Sequence, residues 1–234
     1  MAVAVTEPSD GFVDPCEYLE PGCCVTPGAS DGYDLVMGEI MKAYTVRGPS
    51  LERLREAVLG QLRERGVHTI SATTDELPAN ADLLGWVETG DPPEDRIRLS
   101  MPISEQLIDP GALSRSLGVA VLFESSCSKG IDYDFTKLYW NGELRYADGC
   151  DPNGDFFVRA SRDDLDDPDG GLLENAEAFE HEKANARRVL AAELGDEVIA
   201  LLAPDKALHV SVTWYSDDPI QSRRPDVEDD ELPF

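Results

Sequence analysis

The sixteen residues DFTKLYWNGELRYADG, 134 to 149, constrain the fold more than any other stretch of this chain. Two runs rich in aromatic and branched residues flank Asn141 and Gly142. That pair tolerates positive φ at both central positions, so it best suits a two-residue type I′ turn between antiparallel strands. The turn also fixes the register, because a two-residue connection leaves no slack. Tyr139 is expected beside Leu144, and Trp140 beside Glu143.

The rest of the chain supplies partners for that hairpin. MKAYTV (41–46) reads as a strand. SLERLREAVLGQLRERG then places Leu51, Leu54, Val58, Leu59 and Leu62 on one helical stripe. Ser50 is the expected N-cap and Gly66 the stop, with Glu52 and Arg65 placed to suit the helix dipole. VHTISA (67–72) is expected as a strand. DRIRLSMPI alternates Ile97, Leu99, Met101 and Ile103 against Arg98 and Ser100, the period of a half-buried strand. GVAVLF (118–123) is short and continuously apolar, which suits a central strand covered on both faces. A helix is expected from about Leu172 to Leu194, broken at Gly195 and Asp196 and ended before Pro204. ALHVSVTWYS closes the series, with Leu208, Val210, Val212 and Trp214 on one face.

The order is strand, helix, strand, strand, short helix (Pro110 to Leu117), strand, hairpin, long helix, strand. It predicts an α+β domain: a mostly antiparallel sheet with two or three helices packed on one face. Residues 37–215 form that single domain. Residues 1–36, rich in Pro, Gly, Asp and Ser, read as an irregular arm, and residues 216–234 as an acidic, proline-spaced tail.

Charge narrows the environment. The net charge is -27, with 47 acidic residues against 20 basic ones, and only five of the basic residues are Lys. Such an excess repels itself at ordinary ionic strength, whereas at about 1 M salt the screening length falls to roughly 3 Å. The composition resembles that of haloarchaeal proteins or of their viruses. An arginine-rich actinobacterial source and a carboxylate-studded DNA mimic are the alternatives. Direct binding to nucleic acid is disfavoured, since phosphate contacts need clustered Lys and Arg. No run approaches the ~20 apolar residues of a membrane helix, and MAVAVTEPSDG lacks the basic and apolar regions of a secretory signal. A cytoplasmic protein is expected, or one packed into a particle assembled there.

The catalytic and metal motifs are all incomplete. Cys16, Cys23 and Cys24 lack the paired C-x₂₋₄-C spacing of structural zinc, so thiols packing an irregular arm are expected instead. HEKAN (181–185) nearly matches the zincin motif, but Asn185 stands where the second His must be, which leaves His181 and Glu182 on a solvated face. Asp151, Asn153 and Asp155 resemble the opening of an EF-hand loop. Phe156 replaces its turn glycine and Arg162 its bidentate Glu, so the three are weak cation ligands at most. SSCSK (125–129) holds the S-x-x-K spacing of serine penicillin-recognising enzymes without their other motifs. No cofactor motif is present.

Binding is therefore the expected role: a non-catalytic binding or assembly protein adapted to high salt, whose partners are protein subunits, its own or foreign, as in a virion component. An acidic inhibitor of a basic nuclease is one alternative, and a metal-dependent hydrolase with an unrecognised motif another. The expected contact residues are Phe12, Tyr18 and Leu19 in the arm, Trp140 and Tyr215 on strands, and Leu232 and Phe234 in the tail. Aromatic and apolar anchors of this kind carry most interface energy.

Overall fold

The computed structural model describes residues 40–90, 95–102, 106–127, 134–150, 155–160, 165, 172–173, 175–203 and 208–220. Among the described residues the elements follow in the order β1 (Ile40–Arg47), α1 (Leu51–Leu62), β2 (Ser71–Thr73), β3 (Asp82–Gly90), β4 (Arg96–Met101), α2 (Pro110–Leu117), β5 (Val121–Cys127), β6 (Asp134–Trp140), β7 (Glu143–Cys150), β8 (Phe156–Arg159), β9 (Leu172–Leu173), α3 (Ala176–Leu194), α4 (Asp196–Ile199) and β10 (Leu208–Ser216). The strands make one sheet in the order β2-β10-β3-β4-β1-β5-β6-β7-β8-β9. Every pairing among the described strands is antiparallel. The fold is α+β, as the sequence predicts.

The hairpin forms with the expected register, Tyr139 against Leu144 and Trp140 against Glu143. Asn141 (φ 53°) and Gly142 (φ 86°) take the positive φ values that their turn requires. Helix α1 is capped by Ser50, whose hydroxyl accepts from the Arg53 N–H. A 3-10 turn, Arg63–Arg65, extends α1 to Gly66, which is left-handed. Leu54, Val58, Leu59 and Leu62 of its stripe are buried. Helix α2 starts at Asp109, whose carboxylate accepts from the N–H groups of Gly111 and Ala112. Gln61 clasps the same residue from α1, donating to its carbonyl (3.3 Å) and accepting from its N–H (2.7 Å).

The sheet has two covered faces. On one, α1 and α2 pack on Tyr44, Val46, Leu99, Phe123 and Trp214. On the other, α3 and α4 pack on Leu122, Leu138, Tyr146 and Val158. Two helices thus share one face as expected, and the long helix lies on the opposite one. Strand β5 serves both cores, with Val121 and Phe123 on the α1–α2 side and Ala120 and Leu122 on the α3 side. This matches its continuously apolar sequence.

Three local expectations change. Residues 67–70 are not a strand. Val67 and Ile70 are buried, but the N–H groups of His68 and Thr69 donate to the Asp218 carboxylate at 2.8 and 3.2 Å, which takes them from any ladder. Those bonds also hold the Asp218 carboxyl below its usual range. Residues 172–173 pair with β8 as β9, and α3 begins later, where the Asn175 side chain accepts from the Ala178 N–H. In β10 the alternation breaks. Val212 and Trp214 face the α1–α2 core, but a register shift between Val210 and Val212 puts Val210 opposite Glu88 and leaves it 49% exposed. An inserted residue turns every later side chain to the other face.

Strand β3 was not expected from the sequence. Gly85 lies in its middle, where the backbone of β4 comes close. A Cβ built there would stand 2.3 Å from the Ser100 carbonyl oxygen and 3.2 Å from Met101 Cγ. Gly85→Ala is expected to destabilise the domain by about 1–3 kcal/mol, the usual cost of forced overpacking. A urea midpoint unchanged from wild type would show that the two strands part freely.

Candidate binding site

Alternation along the central strands decides which side chains share a face. On the α3 side, beside the apolar core, this brings together Glu88 of β3, Arg98 and Ser100 of β4, Glu124 of β5 and Asp148 of β7. Arg98 lies 3.2 Å from Glu124 and 3.8 Å from Glu88, and the Ser100 hydroxyl donates to Glu88 at 3.0 Å. Asp148 is buried and accepts a hydrogen bond from the Tyr146 hydroxyl. Lys183 of α3 reaches within 3.5 Å of the same carboxylate and lies over the Phe179 ring. Burial first, and then the Asp148 charge, pushes the Tyr146 phenol above its usual range. These carboxylates are engaged with cations and hydroxyls across four strands, which suits a structural ladder.

The opposite face carries a different arrangement on β6, β7 and β8. Lys137, Ala147 and Arg159 stand in one row, and Phe135, Gly149 and Phe157 in the next. Strands β6 and β8 both run antiparallel to β7, so they run parallel to each other. Phe-x-Lys on one therefore lies beside Phe-x-Arg on the other, with only Ala and Gly between. The Lys137 ammonium sits 4.9 Å from the Phe135 ring centroid and the Arg159 guanidinium 4.9 Å from that of Phe157. Burial, and then the charge of Arg159, lowers the Lys137 pKa from its usual value. The result is a pad with a small-residue floor, two cations and two aromatic rings.

Of the expected contact residues, Trp140 and Tyr215 lie among the described residues, on separate strands. Trp140 ends β6 and packs, half-buried, against the α3-side core. Tyr215 is half-buried in β10, between Ser71 of β2 and Leu83 of β3. Phe12, Tyr18, Leu19, Leu232 and Phe234 lie outside the described residues. So do Asp151 and Asn153, while Asp155 is exposed just before β8. Among the described residues no group of three His, Cys, Asp or Glu side chains is placed to hold a metal ion. Cys150 ends β7, half-buried, and Cys16, Cys23 and Cys24 are outside the described residues. His181 is exposed, 3.4 Å from Glu182. A shallow groove of about 300 Å³ between α1 and α2 is lined by Glu52, Arg53, Glu56, Ala57, Ser116 and Leu117.

Sequence reasoning missed the pad. Its signal is the repeated Phe-x-cation spacing, FTK at 135–137 and FVR at 157–159. That repeat has meaning only once β6 and β8 are known to flank the same strand. Among the described residues no helix is long and apolar enough to cross a membrane. No family model, no curated protein and no solved structure matches the chain.

Proposed function

We propose that this is a non-catalytic binding or assembly protein adapted to concentrated salt, of the haloarchaeal or haloarchaeal-virus kind. It acts on protein subunits, in the cytoplasm or in a particle assembled there, and does not bind nucleic acid directly. The observation that carries this reading is the segregation of charge. Exposed carboxylates are scattered over both sides of the sheet: Glu52 and Glu56 on α1, Glu177 and Glu180 on α3, Asp196 and Glu197 on α4. Several cations are turned inward, while Arg53, Arg63, Arg115 and Arg188 stay exposed. Arg98 stands between two carboxylates, Arg96 donates to the Ala200 carbonyl at 2.7 Å, and Lys137 and Arg159 lie on aromatic rings.

Scattered carboxylates suit screening by salt, since each loses its repulsion once the screening length drops to roughly 3 Å at about 1 M. Aromatic-backed cations suit contact with a partner, because they combine charge with apolar area. The test is a thermal melt with parallel sedimentation between about 0.1 and 2 M KCl. The melting temperature is expected to rise markedly, with association favoured at the high end. A melting temperature flat across that range would sink the high-salt reading, and a chain monomeric at every salt and protein concentration would sink self-assembly.

A further inference from the structure

We infer that residues 217–220 form an acid-releasable strap, which Asp218 latches onto the corner at His68 and Thr69 and which carries Ile220 onto the α1–α2 core. The strap is independent of what the domain binds. Its geometry follows from the ends of two elements.

The corner comes first. Helix α1 and its 3-10 turn stop at Gly66, and the Val67 N–H returns to the Leu62 carbonyl at 3.2 Å. Val67 and Ile70 bury their side chains in the core. His68 and Thr69 between them are exposed, and their two successive N–H groups take their acceptor from far along the chain.

The strap brings that acceptor. Strand β10 ends at Ser216, which is buried and whose hydroxyl accepts from the Asp218 N–H at 3.0 Å. A bond over two residues turns the chain and returns the Asp218 side chain to the corner. One oxygen, Oδ2, accepts from the His68 N–H at 2.8 Å, the Thr69 N–H at 3.2 Å and the Thr69 hydroxyl at 3.4 Å. Two residues on, the Ile220 N–H donates to Asp82 at the start of β3, at 3.2 Å. The Ile220 side chain packs, half-buried, against the core. Asp217 and Pro219 are exposed. A segment with a single half-buried aliphatic anchor and a few polar joints opens without the rest of a domain.

Charge sets the trigger. The His68 N–H bond holds the Asp218 carboxyl below its usual range. Desolvation opposes it, and the Thr69 bonds and the His68 imidazole add to the lowering. Asp217 on the strap and Asp82 of β3 are carboxylates that oppose its charge. Strands β10 and β2 present Tyr215, Ser71 and Thr73, none of them a cation. A carboxyl lowered by folding keeps its joints above about pH 3.9, the ordinary Asp value, and loses them as pH falls through its own lower value. Once protonated, Oδ2 is a poorer acceptor for three donors at once. The latch then lets go and Ile220 leaves the core.

The experiment is residue-by-residue amide hydrogen exchange of the full chain in about 1 M KCl, which screens the net charge. Wild type is followed from about pH 6 to about pH 2, with intrinsic rates corrected for pH. Asp218→Ala and Asp218→Asn are measured at neutral pH. In acid, protection at His68 and Thr69 is expected to fall at least about tenfold while Tyr44 of β1 and Phe123 of β5 stay protected. Asp218→Ala is expected to show the same local loss without acid. Asp218→Asn, which keeps an acceptor but no charge, is expected to fall between. Should acid unfold the whole domain, the two neutral-pH variants still decide. Protection at His68 and Thr69 that survives Asp218→Ala overturns the latch. Loss there only together with Tyr44 and Phe123 makes the corner part of the cooperative core and overturns the strap. A wild-type corner that stays protected in acid, while the variants lose protection, overturns the acid trigger.

Discussion

Trp214→Ala is expected to cost about 3–5 kcal/mol, the range for removing a large buried aromatic side chain. Trp214 is 1% exposed and among the largest fully buried side chains in the described fold. It lies on β10, paired with Ala72 of β2 on one side and Gly85 of β3 on the other. Neither neighbour has a side chain able to fill the space the indole would leave. Beneath it, Leu84 and Val87 of β3 share the core that α1 covers. The surrounding residues would have to move together to close the gap, and β3 is held against the β4 backbone at Gly85. The cavity therefore persists and adds to the lost transfer energy. Against a typical total of 5–15 kcal/mol, such a loss takes a large share of the domain's stability. Trp214→Phe, which keeps most of the apolar area, is expected to lose much less. Urea unfolding in high salt reads both. An Ala variant within about 1 kcal/mol of wild type would mean that this end of the sheet collapses freely around the gap.

The same residues explain what was legible in the sequence. The hairpin was, because Asn141 and Gly142 act locally: their backbone preference sets the turn, and the turn sets the register. Helix α1 was, because its stripe, cap and stop agree. Strand β5 was, because burial on both faces leaves an uninterrupted apolar run. Residues 67–70 were not, since what keeps them from pairing is Asp218, some 150 positions away. Strand β3 was not, because Gly85, a turn former by sequence, is there for a close approach to Ser100. Val210 was misplaced because a bulge cannot be read from alternation alone. The pad depends on two strands that are not neighbours in sequence flanking a third, so no single window contains it. The long helix reads the same whichever face it covers, since its apolar stripe does not say which side of the sheet it meets.

Asp148→Ala is the second large effect, and it separates a structural ladder from a reactive one. The carboxylate is 4% exposed. It accepts from the Tyr146 hydroxyl and lies 3.5 Å from the Lys183 ammonium, so it joins β7 to α3. Removing it takes from the Tyr146 hydroxyl a buried acceptor and from Lys183 its nearest carboxylate. Breaking a buried charge pair from one side costs about 3–5 kcal/mol, mostly through the charge left behind. Asp148→Asn keeps an acceptor for Tyr146 and is expected to cost less, leaving Lys183 to its contacts with Phe179 and with Glu180 at 3.9 Å. Denaturant midpoints at neutral pH measure both variants. Ligand or catalytic groups held in strained surroundings tend to stabilise a fold when removed. A Asp148→Ala chain as stable as wild type, or more so, would recast the Glu88, Glu124 and Asp148 face as a functional site and the binding reading would lose ground.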